Sequence, residues 1–229
     1  QRSMIPALIS RGFGFGSGVI NTSHDRFIVN IPKNASSYML NWAGKHGWRA
    51  AHAANHHAIR EMIVILRDPI ERWISGISQY ITTYIQSVHG PNGPVFEDMI
   101  STDQDYFLSA EMFVQQYTDL VERLFIDSAS RFDDHVWPQS ELISDLLPTA
   151  KRTYFYLDID FTTNIANYLG FSQVDNIDRN RGADHPEQKK IQDFFQNRLQ
   201  SRPELRQRLM RHYENDYDLI SSVELYGSK

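Results

Sequence analysis

Residues 62–75, MIVILRDPIERWIS, indicate the fold more directly than any other stretch of the chain. Residues 62–66 are an unbroken apolar run, which is typical of a strand in a parallel sheet whose two faces are both covered. Asp68 can cap a following helix, Pro69 suits its first position, and Glu71 can complete a capping box. The stretch therefore predicts a buried strand that leads directly into a helix.

The rest of the chain continues this alternation of strands and helices. Further strands are predicted at residues 27–31, 48–52 and 153–157. Helices are predicted at residues 38–46, 68–88, 162–169, most of 95–147 and the chain after 186. The pattern predicts an α/β fold with a central parallel sheet and a helix-rich C-terminal half. Because no linker divides the chain, residues 1–229 are predicted to form one domain, with residues 1–26 as a lead-in segment.

A glycine-rich stretch, residues 12–18, contains G-x-G-x-G but precedes the first clear strand. A dinucleotide-binding fingerprint needs the glycines after a strand, so this stretch is interpreted as a turn or a flexible lead-in.

Composition excludes several classes of protein and site. The 229 residues are 41% hydrophobic and 22% charged, which is typical of a globular protein. A net charge of −5 argues against a protein that binds nucleic acid or anionic membranes with its whole surface. Without cysteine there is no disulfide, thiolate metal site or cysteine nucleophile.

The predicted location is cytoplasmic. No signal peptide is visible, and no apolar run reaches the roughly 18–20 residues of a membrane span. The chain begins with Gln1, so a removed leader or anchor, and with it a lumenal location, is the alternative. The sequence does not indicate an oligomeric state.

Residues 33–37, KNASS, lie between a predicted strand and a predicted helix. A helix N-terminus presents free backbone N–H groups and favours anions, while Lys33 adds a positive charge. The stretch is not a Walker A loop, since it lacks GxxxxGK[ST]. The alternative is an ordinary helix start capped by Asn34 or Ser36, with a solvated lysine.

Arg67 and Ser75 form a second candidate anion site. Arg67 stands at the carboxyl end of a buried strand, where open α/β sheets bind ligands, and Ser75 lies about two helical turns later. A guanidinium and a hydroxyl suit a phosphate group. The alternative is that Arg67 pairs with Asp68 or Glu71 in a surface network.

Together these two segments resemble the cofactor motifs of one enzyme family. Residues 32–37, PKNASS, resemble the 5′-phosphosulfate loop of sulfotransferases that use 3′-phosphoadenosine-5′-phosphosulfate (PAPS). Residues 67–75, RDPIERWIS, resemble the 3′-phosphate motif of the carbohydrate, Golgi-type branch. Residues 134–139, DHVWPQ, and residues 213–219, YENDYDL, are similar to two looser segments of that branch.

The resemblance implies a P-loop-like, three-layer fold with helices on both sides of a central parallel sheet. It implies transfer of a sulfuryl group from PAPS to an acceptor hydroxyl, on a saccharide or another small hydroxylated molecule. The implied product is 3′-phosphoadenosine 5′-phosphate (PAP), with no metal required. The implied cofactor-binding residues are Lys33, Asn34, Ala35, Ser36, Ser37, Arg67 and Ser75. Arg181 is a weaker candidate near the adenosine, with a solvated loop as its alternative.

Sulfuryl transfer needs charge stabilisation and a base. Lys33 is predicted to stabilise the charge that builds on the leaving phosphate. His52, at the end of a predicted strand, and then His56 are the candidate bases, although a structural role is the alternative for each.

Contact with the acceptor is predicted for His135 and Gln139. For His135 the alternatives are a role as a further candidate base and a structural role that fixes the loop around Trp137 and Pro138. His52 and His56 have helical ligand spacing, but no third ligand is obvious, so no metal is predicted.

Two other functions remain possible from the sequence. One is a nucleotide-dependent kinase on a related scaffold, although Walker A is missing. The other is a non-catalytic module that binds nucleotides or glycans, because a fold does not guarantee an activity.

Overall fold

The computed structural model describes residues 15–86, 135–171 and 186–227, with only the backbone for residues 80–86 and 187. Five strands lie in these ranges: β1 (Ser17–Ile20), β2 (Arg26–Val29), β3 (Arg49–His52), β4 (Glu61–Leu66) and β5 (Lys151–Tyr156). Seven α-helices lie there too: α1 (Ser36–Lys45), α2 (Pro69–Gln86), α3 (Gln139–Ile143), α4 (Phe161–Leu169), α5 (Pro186–Ser201), α6 (Pro203–His212) and α7 (Glu214–Ser222). The α/β class is therefore confirmed, and the four predicted strands correspond to β2–β5 with ends that shift by one or two residues.

The strands form one mixed sheet in the order β3-β1-β2-β4-β5. β2, β4 and β5 run parallel, whereas β1 is antiparallel to both β2 and β3. The expectation of a central parallel sheet is thus wrong at β1, which lies between β3 and β2 and runs antiparallel to both. The cause is a tight turn after β1, where the Asn21 side chain accepts hydrogen bonds from the backbone N–H groups of Asp25 (3.1 Å) and Arg26 (3.0 Å).

β1 lies within the predicted lead-in and was not expected from the sequence. Its glycine is required by close packing, because a Cβ on Gly18 would lie 2.2 Å from the Ile28 carbonyl oxygen. Part of the glycine-rich stretch is therefore a strand whose backbone is approached closely by its neighbour.

β4 is buried on both faces, as its sequence predicts. Ile63 and Ile65 join a core cluster with Trp42 of α1 and Phe161 of α4. The alternate side chains of β4 join a second cluster with residues of α3 and α7 on the opposite face: Met62, Val64, Leu66, Leu142, Ile143, Leu219 and Ile220. Helices therefore cover both faces of the sheet.

Two predicted helix ends are confirmed, the start of α2 and the end of α4. The N–H of Glu71 donates to Asp68 Oδ1 at 2.9 Å, so Asp68 caps α2. Gly170 ends α4 with φ 72°, and the following N–H of Phe171 donates to the Ala166 carbonyl at 2.9 Å. Glycine adopts this left-handed conformation without a Cβ clash.

The chain divides into two compact units, and the prediction of a single domain stays a prediction. The first unit contains residues 1–72, 131–177 and 213–229, and includes the whole described sheet. The second contains residues 73–130 and 178–212, in which the rings of Trp73 and Phe195 meet edge to face at 5.2 Å. Within the described ranges, no helix combines the length and the apolar character that a membrane crossing needs.

Glu61, at the start of β4, accepts hydrogen bonds from three side chains. Thr153 Oγ1 lies 2.6 Å from Oε1, Arg26 Nε lies 2.8 Å from Oε2, and the Tyr168 hydroxyl also donates to Oε1. Burial raises the pKa of Glu61, but the hydrogen bonds from Thr153, Tyr168 and Arg26 outweigh it and leave the pKa below its ordinary 4.5. The carboxylate form is therefore stabilised by folding.

This cluster predicts an acid-sensitive contribution to stability. Because the folded-state pKa of Glu61 is lowered, the contribution is fully present above pH 4.5 and is lost as the pH falls through the folded pKa. We expect Glu61→Gln to lower the free energy of unfolding by about 1–2 kcal/mol at pH 7, and by less as the pH falls below 4.5. Urea titrations of both proteins at several pH values measure this, and a difference independent of pH would contradict it.

Candidate functional site

The two predicted anion-binding segments meet at one edge of the sheet. The loop of residues 30–35, which we call the Lys33 loop, follows β2, and Arg67 follows β4. β2 and β4 are neighbouring parallel strands, about 4.8 Å apart. Arg67 Nη1 donates to the Lys33 carbonyl oxygen at 3.2 Å, across 34 positions of sequence. The Lys33 loop and the Arg67 side chain are thus in direct contact.

The Lys33 loop has an unusual backbone. Lys33 (φ 70°) and Ala35 (φ 59°) are both left-handed, although neither is a glycine. Such residues cost about 1–3 kcal/mol each and cluster at functional sites. Left-handed residues in a tight loop turn backbone N–H groups toward a common side, as in backbone anion nests.

The start of α1 has no side-chain cap. Ala35 occupies the cap position, and the first turn of the helix contains no acidic residue. Met39 N donates to the Ala35 carbonyl at 2.8 Å, so the earlier N–H groups, at Ser36 and Ser37, precede the helical hydrogen bonds. The alternative of a helix capped by Asn34 or Ser36 is therefore wrong. A helix start with open N–H groups and no negative charge suits an anion.

Asn34 does not fit its predicted contact with a phosphosulfate. Its side chain is buried, and Nδ2 donates to the Ile65 carbonyl (2.7 Å) and to Gln139 Oε1 (2.6 Å). Its backbone N–H donates to the Ile31 carbonyl at 3.0 Å. With all of its donors used, Asn34 holds the loop in place and has none left for an anion. Its Oδ1 has no hydrogen-bond partner among the described residues, although it is buried.

Arg67 carries a partly exposed positive charge. Its Nε lies 3.7 Å from Glu71 Oε2, a long ion pair with an exposed carboxylate. Burial lowers the pKa of Arg67, while the charges of Glu71 and Asp68 raise it. A guanidinium keeps its proton under all these influences. The expected surface pairing with Glu71 thus exists but is weak, and Arg67 also contacts the Lys33 loop.

Gln139 is a buried link between the two segments. Its Oε1 accepts from Asn34 Nδ2 and from the Arg67 backbone N–H (3.1 Å), and its Nε2 donates to the Arg67 carbonyl (2.7 Å). The side chain is 0% exposed, so it cannot touch an acceptor as predicted. Gln139 is a positioning residue that fixes the loop relative to the end of β4.

Asp216 fixes Gln139 in turn. The carboxylate is fully buried and accepts hydrogen bonds from Gln139 N (2.9 Å), Ser140 N (2.8 Å) and Ser140 Oγ (2.6 Å). These N–H groups start α3, where Pro138 provides no side-chain cap. A residue of α7 therefore caps a helix 77 positions earlier in the chain.

Arg72 is also buried and supports the same loop. Its Nε donates to the Pro32 carbonyl at 2.9 Å, and its Nη1 donates to the Trp137 carbonyl. Nearby, the Tyr213 hydroxyl donates to the Val136 carbonyl. Burial raises the pKa of Tyr213, although the positive charge of Arg72 acts to lower it. The phenol therefore keeps its proton.

None of Arg72, Tyr213 and Asp216 was singled out as a site residue from the sequence. The signal was present, because all three lie in the segments that resemble sulfotransferase motifs, at residues 67–75 and 213–219. The sequence did not reveal that these three side chains are buried and form hydrogen bonds to the Lys33 loop and to residues 136–140.

His52 lies at the expected edge of the sheet. β3 ends at His52, which pairs with Ser17, at the same end of the sheet as the Lys33 loop. Both ring nitrogens are engaged: Nδ1 accepts from Ala54 N (3.2 Å), and Nε2 lies 2.8 Å from the Phe15 carbonyl. The neutral ring with its proton on Nε2 satisfies both contacts, and a base would have to release Ala54 first.

His56 does not share this edge. Its ring meets that of His24 at 5.5 Å, and His24 belongs to the turn that joins β1 to β2 at the opposite end of the strands. β2 alone spans about 13 Å in that direction. The structure therefore separates His56 from the Lys33 loop, which contradicts its predicted role as a base there.

The remaining predicted residues are not tested by this geometry. His135 is half-buried beside Val136, Ser75 is half-buried in α2 within the second unit, and Arg181 lies outside the described residues. In the part of the chain that the structure describes, no three histidine, aspartate or glutamate side chains are grouped to hold a metal ion. His52 and His56 also lack the helical geometry that their spacing suggested, since His52 ends a strand.

Comparison with known proteins adds no further constraint to this geometry. No protein-family model matches the chain, and no curated protein or solved structure is significantly similar to it.

Proposed function

We propose that this protein is a sulfotransferase that uses PAPS and transfers its sulfuryl group to an acceptor hydroxyl. The observation that carries the proposal is the contact of Arg67 Nη1 with the Lys33 carbonyl, 3.2 Å. It joins an uncapped helix start, suited to a phosphosulfate, to a guanidinium suited to a second phosphate. A nucleotide with anionic groups on both its 3′ and 5′ sides offers one anion to the helix start and another to the guanidinium.

The transfer is an in-line displacement at sulfur. The acceptor oxygen forms a bond to sulfur, while the bond from sulfur to the bridging oxygen of the 5′-phosphate breaks. The electron pair of the broken bond leaves on PAP, and the hydroxyl proton passes to a base. Lys33 stabilises the charge on the bridging oxygen, and the N–H and hydroxyl groups of Ser36 and Ser37 hold the sulfonate oxygens.

His52 is the candidate base in this proposal. It lies at the same edge of the sheet as Lys33, two strand spacings from β2, or about 10 Å. Its Nδ1 lone pair becomes available when the contact with Ala54 N opens. Catalytic hydrogen bonds often form only when substrate is bound, so the resting contacts are compatible with this role.

The proposal includes a P-loop-like, three-layer fold and a cytoplasmic location. The strand–loop–helix unit formed by β2, the Lys33 loop and α1, with parallel β4 beside it, supports the fold. Lack of cysteine agrees with a reducing compartment but does not require one.

Nucleotide binding tests the proposal against its rivals. We expect PAP and PAPS, at about 100 times Kd, to raise Tm by about 5–10 °C, because a ligand that binds only the folded state stabilises it. ATP with magnesium is the comparison ligand and should have a much smaller effect. A larger shift with ATP would favour a kinase, and PAPS binding without transfer to any hydroxylated acceptor would favour a binding module.

A further inference from the structure

The guanidinium of Arg67 already has two oxygen neighbours within the protein. The Lys33 carbonyl accepts from Nη1 at 3.2 Å, and Glu71 Oε2 lies 3.7 Å from Nε. A guanidinium binds an oxyanion best through two parallel donors, and the pair that leaves Nη1 undisturbed is Nε with Nη2. A phosphate that binds there has to take the position at Nε that Glu71 now holds.

The Glu71 contact is the weaker of the two. Its length exceeds that of a hydrogen bond, and the Glu71 side chain is 64% exposed. Exposed ion pairs of this kind contribute little to stability. The Lys33 carbonyl, in contrast, belongs to a loop that Asn34 and Arg72 fix by buried side chains. An incoming phosphate therefore displaces Glu71 and leaves the Lys33 contact in place.

Glu71 is not held by the start of α2. The backbone N–H of Glu71 donates to Asp68 Oδ1 at 2.9 Å, which is one half of a capping box. The other half, from the Asp68 N–H to the Glu71 carboxylate, is missing among the described contacts, so the capping box predicted from the sequence is only half formed. The carboxylate is directed to Arg67 instead.

Displacement does not remove the Glu71 charge from the site. The residue lies in the first turn of α2, four positions after Arg67, so its carboxylate stays within reach of any group bound to that guanidinium. A bound phosphate would lose part of its attraction to Arg67 to this neighbouring negative charge. Glu71 thus opposes the phosphate twice, first as a competitor and then as a like charge.

We propose that Glu71 is a built-in counter-ion of Arg67, which the 3′-phosphate of PAPS or PAP must displace, and that it thereby limits the affinity for both nucleotides. The inference rests on the proposed function and adds a residue that sets the strength of cofactor binding. Because the same competition acts on the product, Glu71 also favours the release of PAP.

Calorimetric titration with PAP tests this inference in Glu71→Gln, which keeps the shape of the side chain and removes its charge. We expect PAP to bind about 3–10-fold more tightly to the variant at about 0.1 M salt, since a competing ion pair and a like charge are both lost. At about 1 M salt the gain should fall below about twofold, because such charges are then screened beyond about 3 Å.

Asp145→Asn is the matched control. It removes an exposed carboxylate next to Ser144, whose carbonyl accepts from Arg152 near the start of β5. The start of β5 pairs with the start of β4, at the opposite end of the parallel strands from Arg67. We expect its PAP affinity to stay within about twofold of the parent protein, at either salt concentration.

The same substitution in an Arg67→Ala background shows whether Glu71 acts through the guanidinium. There we expect Glu71→Gln to change PAP affinity by less than about twofold, because the competition needs Arg67. An equal gain in both backgrounds, or no gain in a parent protein that binds PAP, would overturn the inference alone. A parent protein that does not bind PAP, or binds it no better than Arg67→Ala does, would remove the proposed function and the inference with it.

Discussion

Asp216→Asn is expected to lower the free energy of unfolding by about 3–5 kcal/mol, although it changes the shape of the side chain very little. The carboxylate accepts three hydrogen bonds, from Gln139 N, Ser140 N and Ser140 Oγ, and is completely buried. An asparagine has one acceptor oxygen in place of two. Its amide NH2 group would face a backbone N–H, leaving that donor buried and unpaired.

Urea unfolding measures the effect, and Glu214→Gln is the matched control. Glu214 lies in the first turn of the same helix and is exposed, so its loss removes one negative charge from a helix N-terminus and nothing else. We expect this control to cost less than about 1 kcal/mol. If Asp216→Asn is no worse than Glu214→Gln, the carboxylate does not hold α3 in place and the account of the buried network is wrong.

Some parts of the fold could be predicted from the sequence, whereas this buried network could not. Strands β2 and β4, the start of α2 and the end of α4 were predictable, because each depends on a local signal: an apolar run, Asp68 as a cap, and Gly170 as a C-terminal residue. β1 was missed because its strand character comes from pairing with β2 and β3. Gly18 is needed in β1 because a Cβ there would clash with the Ile28 carbonyl of the neighbouring strand, a contact that no local sequence pattern shows.

The candidate site was predictable to a similar degree. Lys33 and Arg67 were found because a charge after a buried strand points to a ligand. The roles of Asn34 and Gln139 were not, since an amide side chain can face a ligand or the protein interior. Their mutual hydrogen bond spans 105 positions of the chain, and no local pattern encodes a contact at that separation. His56 was misplaced for a related reason: four residues after His52, the chain has already returned toward the opposite end of the strands.

Lys33→Ala is expected to lower kcat for sulfuryl transfer by about 10²–10³, the usual cost of removing one donor that stabilises transition-state charge. Neither lysine nor alanine is favoured at φ 70°, so the substitution leaves the backbone strain of the loop unchanged.

Arg67→Ala should act differently, because a guanidinium that binds a phosphate contributes equally to the ground state and the transition state. We expect it to weaken PAP binding about 10–100-fold, with a smaller change in kcat.

Steady-state kinetics with PAPS, together with PAP titrations, separate the two effects. Lys45→Ala is the control for Lys33→Ala, since it removes an exposed lysine from the other end of α1 and should leave both quantities unchanged. Arg67 also donates to the Lys33 carbonyl, so a change in kcat for Arg67→Ala measures how far that contact orients Lys33. Full activity of Lys33→Ala would show that backbone N–H groups alone stabilise the leaving phosphate. The transfer would then depend on the shape of the loop, and the assignment of Lys33 as the catalytic cation would be lost.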